Sequence, residues 1–251
     1  MTQITPMVKQ LLILNIIVYV GANFIAKDVS YDLLALYFPL NEKFEWWQII
    51  THMFMHAKIE YGIMHILFNM FGLYMFGSNL EHFWGQKKFL IFYLLSGIGA
   101  ALLLLAINYF QFQSIYGDLI NLGATDIEIK QFFQTGSIRQ VGLPQSNLQS
   151  IFEIYHGSAV GASGALYGIL VAFAIMFPHV ELMLMFIPVP IKAKYFVPFI
   201  VIMDLYAGLN GNSLFGYSTG IAHFAHFGGA LTGFLLMLYY KKTQFDKNRW
   251  D

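Results

Sequence analysis

The 251-residue chain contains no cysteine. That excludes disulfide staples, a thiol nucleophile and any cysteine-ligated metal site. Charge is scarce as well. Asp, Glu, Lys and Arg make up 11% of the residues, against about 25% in an ordinary soluble domain. The formal net charge is zero and no basic stripe is visible, so nothing points to nucleic acid as a partner. There is no internal repeat and no low-complexity segment. The chain is instead 57% hydrophobic.

Those apolar residues fall into six runs near the roughly 20 residues that a helix needs to cross a bilayer. They are residues 7–26, 61–80, 89–110, 156–178, 195–212 and 218–240. The pattern predicts an all-α membrane protein with six transmembrane helices. The first run is too long for a signal-peptide core, and its removal would leave an odd number of spans. With six spans both termini share one side. That side carries nine Lys and Arg residues against five on the other, whose loops are far longer. The first side is therefore expected to be cytoplasmic.

Two segments stand outside the spans on the opposite side. Residues 27–60 carry the aromatic cluster Phe44, Trp46 and Trp47 and are expected to lie in the interface as short amphipathic helices. Residues 110–155 form a polar insertion between helices 3 and 4. Within it, Thr125-Asp126-Ile127-Glu128 reads as a capping box, Gly136 as a helix stop, and residues 147–155 as a second amphipathic stretch. The whole chain, 1–251, reads as one membrane domain.

Three constellations carry chemistry. Gly161-Ala162-Ser163-Gly164 places a glycine-flanked serine on the fourth span, with Tyr167 four residues on. His226, with Gly229 and Gly233 behind it, lies on the sixth. A serine hydroxyl becomes a nucleophile only beside a base, so a serine and an imidazole on glycine-lined helices suggest peptide hydrolysis inside a membrane. On the second span His65 and Asn69 share a helix face, as donors for a developing oxyanion would. Each feature alone also fits helix packing or interhelical hydrogen bonding. Their coincidence in one chain is the signal.

The set resembles the rhomboid family of intramembrane serine proteases. That family carries His-x-x-x-Asn on its second span, Gly-x-Ser-Gly with a tyrosine four residues after the serine on its fourth, and His-x-x-Gly-x-x-x-Gly on its sixth. The first loop matches too, through Trp47, Thr51, His52 and His56, with Gln48 where the family usually has arginine. Glu81 falls where the family tends to have a glutamate. The resemblance implies a six-helix rhomboid-like bundle, a Ser163–His226 dyad and an oxyanion site of His65, Asn69 and the Ser163 amide. It implies support from Tyr167, Gly161, Gly164 and Gly229, and neither metal nor cofactor. The implied partners are transmembrane protein substrates and the lipid bilayer; oligomeric state is left open. The lack of an Arg-rich presequence favours a bacterial inner membrane over an organelle. A triad would need Asp204, the one carboxylate well inside a span, to orient His226. The resemblance implies a dyad supported by Tyr167 instead, so Asp204 is read as a polar group near the non-cytoplasmic end of the fifth span, and His223 as packing or cavity rim.

A histidine-cluster metalloenzyme is disfavoured because no His-Glu-x-x-His sequence occurs. A transporter is disfavoured by the absence of repeats or paired broken helices.

Overall fold

The computed structural model describes residues 3–61, 63–184, 187–210 and 221–244. Helix α1 (Pro6–Val20) continues through a wide turn to Ile25 and is followed by α2 (Lys27–Leu34), the short strand β1 (Leu36–Tyr37) and α3 (Gln48–Thr51). Helices α4 (Met64–Gly72) and α5 (Ser78–Trp84) are joined by a second wide turn, Leu73–Gly77. Then come α6 (Gln86–Asn121), α7 (Asp126–Thr135), α8 (Gln145–His156), β2 (Ser158–Ala159) and α9 (Ser163–Met176). The chain closes with a hairpin of β3 (Glu181–Leu184) and β4 (Ile187–Lys192), then α10 (Ala193–Asn210) and α11 (Ile221–Gln244). A helix thus occupies each expected span. The outer ends of the fifth and sixth expected runs, at residues 211–212 and 218–220, lie outside the described residues, as do Lys247 and Arg249 of the charge count. Among the described residues, Pro6–Ile25 and Gln86–Asn121 are each long and apolar enough to cross a membrane.

The chain is mostly helical, as expected, and two small antiparallel ladders, β1 with β2 and β3 with β4, join its segments. The first has a clear physical reason. The backbone is extended at Gly157 and along β2, just before α9, and buried backbone groups must find internal partners. Pairing Leu36 with Ala159 and Tyr37 with Ser158 supplies them, and it ties the first loop to the entrance of α9.

In the fourth apolar run the helix begins at Ser163, not at the expected His156, and it runs only 14 residues. His156 instead ends α8, where its Nε2 meets the Phe133 carbonyl at 2.7 Å and its ring packs on Phe152. The short α9 survives because it is the central helix, packed on α6, α10 and α11. Its Ala165, Ile169 and Ala172 join Val8, Leu73, Phe89, Phe92 and Tyr93 in the main core.

Glu81 closes the other end of that core. Its buried carboxylate accepts the amides of Met7 at 2.9 Å and Val8 at 2.8 Å and the Thr5 hydroxyl. Thr5, the N-cap, makes no side-chain cap of its own. Pro6 has no amide to satisfy, so Glu81 takes up the orphan amides of Met7 and Val8 at the start of α1 and places negative charge at its positive end.

The insertion is less polar than expected. Helix α6 is 36 residues long, about 54 Å at 1.5 Å per residue, so it projects well past a hydrocarbon core of about 30 Å. On its projecting turns Phe112, Ile115 and Leu119 meet Ile129, Phe132 and Phe133 of α7 and Ile151 and Ile154 of α8. The predicted capping box is present. Thr125 accepts from the Glu128 amide, the Glu128 carboxylate accepts from the Thr125 amide, and the helix stops at left-handed Gly136. Those Thr125 contacts, with Arg139 at 2.7 Å, pull the Glu128 pKa down to about 2.

Candidate active site

Helix α9 begins at Ser163, so the serine amide is one of the unpaired donors at a helix N-terminus. Its Oγ lies 2.8 Å from Nε2 of His226 on α11. The Tyr167 ring, one turn along α9, stacks on the imidazole with centroids 4.4 Å apart and planes 6° from parallel.

The close approach of α9 and α11 depends on glycine. A Cβ placed on Gly229 would lie 1.8 Å from the Gly164 carbonyl oxygen, and one on Gly233 would lie 2.5 Å from the Gly168 Cα. On its other side Gly164 faces α6, where a Cβ would stand 2.5 Å from that of Ala100. Backbone meets backbone along this seam, with no room for side chains.

Gly161 needs glycine for a different reason. Its φ of +125° is a conformation that side chains rarely adopt. Its amide donates to the His52 carbonyl at 3.0 Å, anchoring the serine turn to the first loop. A Cβ there would fall 3.0 Å from His65 Nε2 and 3.6 Å from Ser163 Oγ. The missing side chain leaves an open position between the serine and the imidazole. His65 Nδ1 accepts from the Ala57 amide at 3.1 Å, which assigns the ring proton to Nε2, facing that position.

Asn69 is buried on the same helix, α4. Its Nδ2 donates to the His65 carbonyl at 2.7 Å, and among the described residues its Oδ1 has no partner. One amide hydrogen is thus committed to the backbone and the other is not. Among the described residues no hydrogen bond joins Asn69 directly to Ser163 or His226.

The first loop is held by the residue that departs from the family pattern. Gln48 is fully buried. Its Nε2 donates to the carbonyls of Lys43 at 2.8 Å and Asp32 at 3.0 Å, and its Oε1 accepts from the Tyr37 amide at 3.3 Å. Trp47 donates to the Leu33 carbonyl at 2.8 Å and Thr51 to that of Leu34 at 2.9 Å. The loop's own imidazoles are neutral: burial pushes His52 down to about 4 and His56 to about 3. Among the described residues neither ring nitrogen of His56 has a hydrogen-bond partner.

Asp204 and His223 stand where sequence reasoning did not put them. Asp204 is buried on α10. Its Oδ2 lies 2.7 Å from His226 Nδ1, and its Oδ1 is hydrogen-bonded to His223 Nδ1. The separation of α10 from α11 in the chain hides this contact. The available signal was cost, because a carboxylate inside a span needs a partner, and His223 and His226 were candidates at that depth. These three residues are also the group of side chains, among those described, whose donor atoms one ion could span, all within 4.8 Å. Both Nδ1 atoms are already engaged with the carboxylate.

A serine hydroxyl 2.8 Å from an imidazole, at the N-terminus of a short buried helix, is the pairing that serine hydrolases use, here set in a helical bundle. The comparisons then give the family. The Rhomboid domain model matches residues 43–125 and 133–243, and the chain belongs to the rhomboid family. Rhomboid protease AarA of Providencia stuartii is 26% identical over 199 residues, covering 78% of this chain and 56% of that protein. Putative rhomboid protease YdcA of Bacillus subtilis is 41% identical over 54 residues, 22% of this chain and 25% of that one. Rhomboid protease GlpG of Salmonella typhi is 31% identical over 83 residues, 33% and 29% of the two chains. The chain thus spans about half the length of AarA and less of the other two. The family match runs across the insertion with a break only at residues 126–132, inside α7.

Proposed function

We propose that this protein is an intramembrane serine endopeptidase that cleaves transmembrane segments of other membrane proteins. The observation that carries the proposal is the 2.8 Å contact between Ser163 Oγ and His226 Nε2 across the glycine seam. His226 takes the hydroxyl proton as Ser163 attacks a backbone carbonyl. The carbonyl oxygen then occupies the position left open by Gly161, toward His65 Nε2–H and the Ser163 amide, with the free Nδ2 hydrogen of Asn69 as a further donor. Preorganised donors in a site of low dielectric stabilise such an oxyanion without reorganisation. His226 returns the proton to the leaving amine, and water resolves the acyl-enzyme. The reaction as written uses only side chains, backbone and water.

The substrate helix must expose a carbonyl, so residues that weaken helices are expected near the cut. In this reading residues 1–251 form one domain of six spans. The charge bias argues for both termini in the cytoplasm of a bacterial inner membrane, with α7 and α8 on the far side near the serine.

The test is labelling of the purified, detergent-solubilised protein with a fluorophosphonate, which reacts with activated serines. Adduct on Ser163 that disappears in His226→Ala and after heat denaturation supports the proposal. Labelling elsewhere, or equal labelling of His226→Ala, refutes it.

A further inference from the structure

We propose that Asp204 is the positioning residue of a third kind in this site, a carboxylate that converts the Ser163–His226 pair into a triad, with His223 holding the carboxylate in place. The inference rests on the serine-protease reading above and adds to it a group from the fifth span.

To accept the Ser163 proton, His226 must present an unprotonated Nε2, so its ring proton has to sit on Nδ1. Away from water, an Nδ1–H with no acceptor is costly, and the opposite tautomer would disable the base. Asp204 Oδ2, at 2.7 Å, supplies the acceptor. Once the proton has moved, the same carboxylate faces an imidazolium and stabilises it, as the aspartate of a Ser-His-Asp triad does.

Tyr167 cannot do this work. A ring stacked 6° from parallel fixes the plane of the imidazole but neither its rotation within that plane nor its tautomer. The hydrogen bond to Asp204 fixes both. The two contacts are therefore complementary, one through the face of the ring and one through its edge.

His223 completes the arrangement. Its Nδ1 engages Oδ1, so each carboxylate oxygen has its own imidazole. His223 and His226 lie three residues apart on α11 and reach Asp204 from the same side of α10. The rings meet nearly edge to face, at 88°, which lets both aim their Nδ1 atoms at one carboxylate. A lone carboxylate on α10 would be free to turn away; one gripped at both oxygens is not. His223 thus acts on the reaction through Asp204, and Asp204 through His226.

The experiment compares Asp204→Asn and Asp204→Glu with the wild type, using kcat and KM on a single-span substrate in detergent and the melting temperature of each protein. An asparagine keeps the shape but offers an amide that favours the wrong tautomer. In a soluble serine protease that exchange lowers kcat by about 10⁴. Because Tyr167 still holds the ring plane here, the expected loss is at least about 100-fold in kcat, with KM and melting temperature near wild type. Asp204→Glu, which restores a carboxylate, should recover part of it. A kcat for Asp204→Asn within about threefold of wild type overturns the inference. So does a loss that tracks a fallen melting temperature and is not relieved by glutamate. If the asparagine variant does not fold, the wild type decides: with ring-¹⁵N histidine, a downfield Nδ1–H resonance that vanishes in His226→Ala supports the inference, and an unprotonated His226 Nδ1 at neutral pH overturns it. A wild type that neither cleaves nor labels at Ser163 overturns the protease reading itself. A wild type that does both while Asp204→Asn is unaffected overturns the triad alone.

Discussion

Replacing Gly229 by alanine adds one methyl group at the point where α11 touches α9. That methyl would stand 1.8 Å from the Gly164 carbonyl oxygen and 2.7 Å from its carbon. An ordinary nonbonded contact is about 3.5 Å, so the helices must part by roughly 1.5 Å. Neither side can yield by turning a side chain, because both surfaces are helical backbone. Gly164 follows Ser163, and Gly229 lies one turn beyond His226. The movement therefore falls directly on the 2.8 Å contact between them. It would open to about 4 Å, past the roughly 3.2 Å limit for proton transfer. Misplacement by about 1 Å can cost 10²-fold in rate, and overpacking of this kind typically costs about 1–3 kcal/mol. Both losses are expected together, read as cleavage of a single-span substrate and as a melting temperature several degrees lower. Gly117→Ala on α6 is the matched control. No atom lies within 4 Å of a Cβ there, so it should leave activity intact and hold or raise stability. If Gly229→Ala kept both wild-type activity and melting temperature, α9 and α11 would not meet along this seam, and the Ser163–His226 contact would lose its foundation.

Gln48→Ala should destabilise the first loop, since it strands the Lys43 and Asp32 carbonyls and the Tyr37 amide; three unsatisfied groups at about 1 kcal/mol or more each give a cost of at least about 3 kcal/mol, seen as a lower melting temperature and faster proteolysis within residues 27–60. Acid should weaken the same loop. His52 and His56 have folded pKa values of about 4 and about 3, below the unfolded value near 6.5, so between these limits the unfolded chain binds more protons. Stability is therefore full above about pH 6.5 and falls as pH drops toward 3, and His56→Leu should flatten that decline in melting temperature against pH. A pH-independent melting temperature across this range would refute it.

What the sequence made legible was local. The Thr125 capping box and the Gly136 stop depend on neighbours three to eleven residues apart, and α7 has both. The serine, histidine and glycine motifs were readable because each sits on one helix, although only their order in the chain tied them together. The contacts that went unread join distant segments. Two-residue strands such as β1 and β2 have no periodicity to detect, yet they hold the first loop against the serine turn. Asp204 was visible as an expensive residue but not as the partner of two histidines some twenty positions away. Gln48 broke a family pattern, and only the geometry shows an uncharged amide reaching three backbone groups. The projection of α6 was an avoidable miss. Phe112, Ile115 and Leu119 recur at helical spacing beyond residue 110, where the roughly 20-residue length of a membrane span ends the third run.

The most direct test of the central claim is to map, by mass spectrometry, both ends of the products formed from a single-span substrate by the purified protein. The account predicts a cut inside or beside the transmembrane segment, formed by the wild type and absent in Ser163→Ala and His226→Ala. Ser163→Ala, which removes one oxygen from the site, should keep the wild-type melting temperature. Products that persist in Ser163→Ala, or cuts confined to regions remote from the membrane segment, would contradict it.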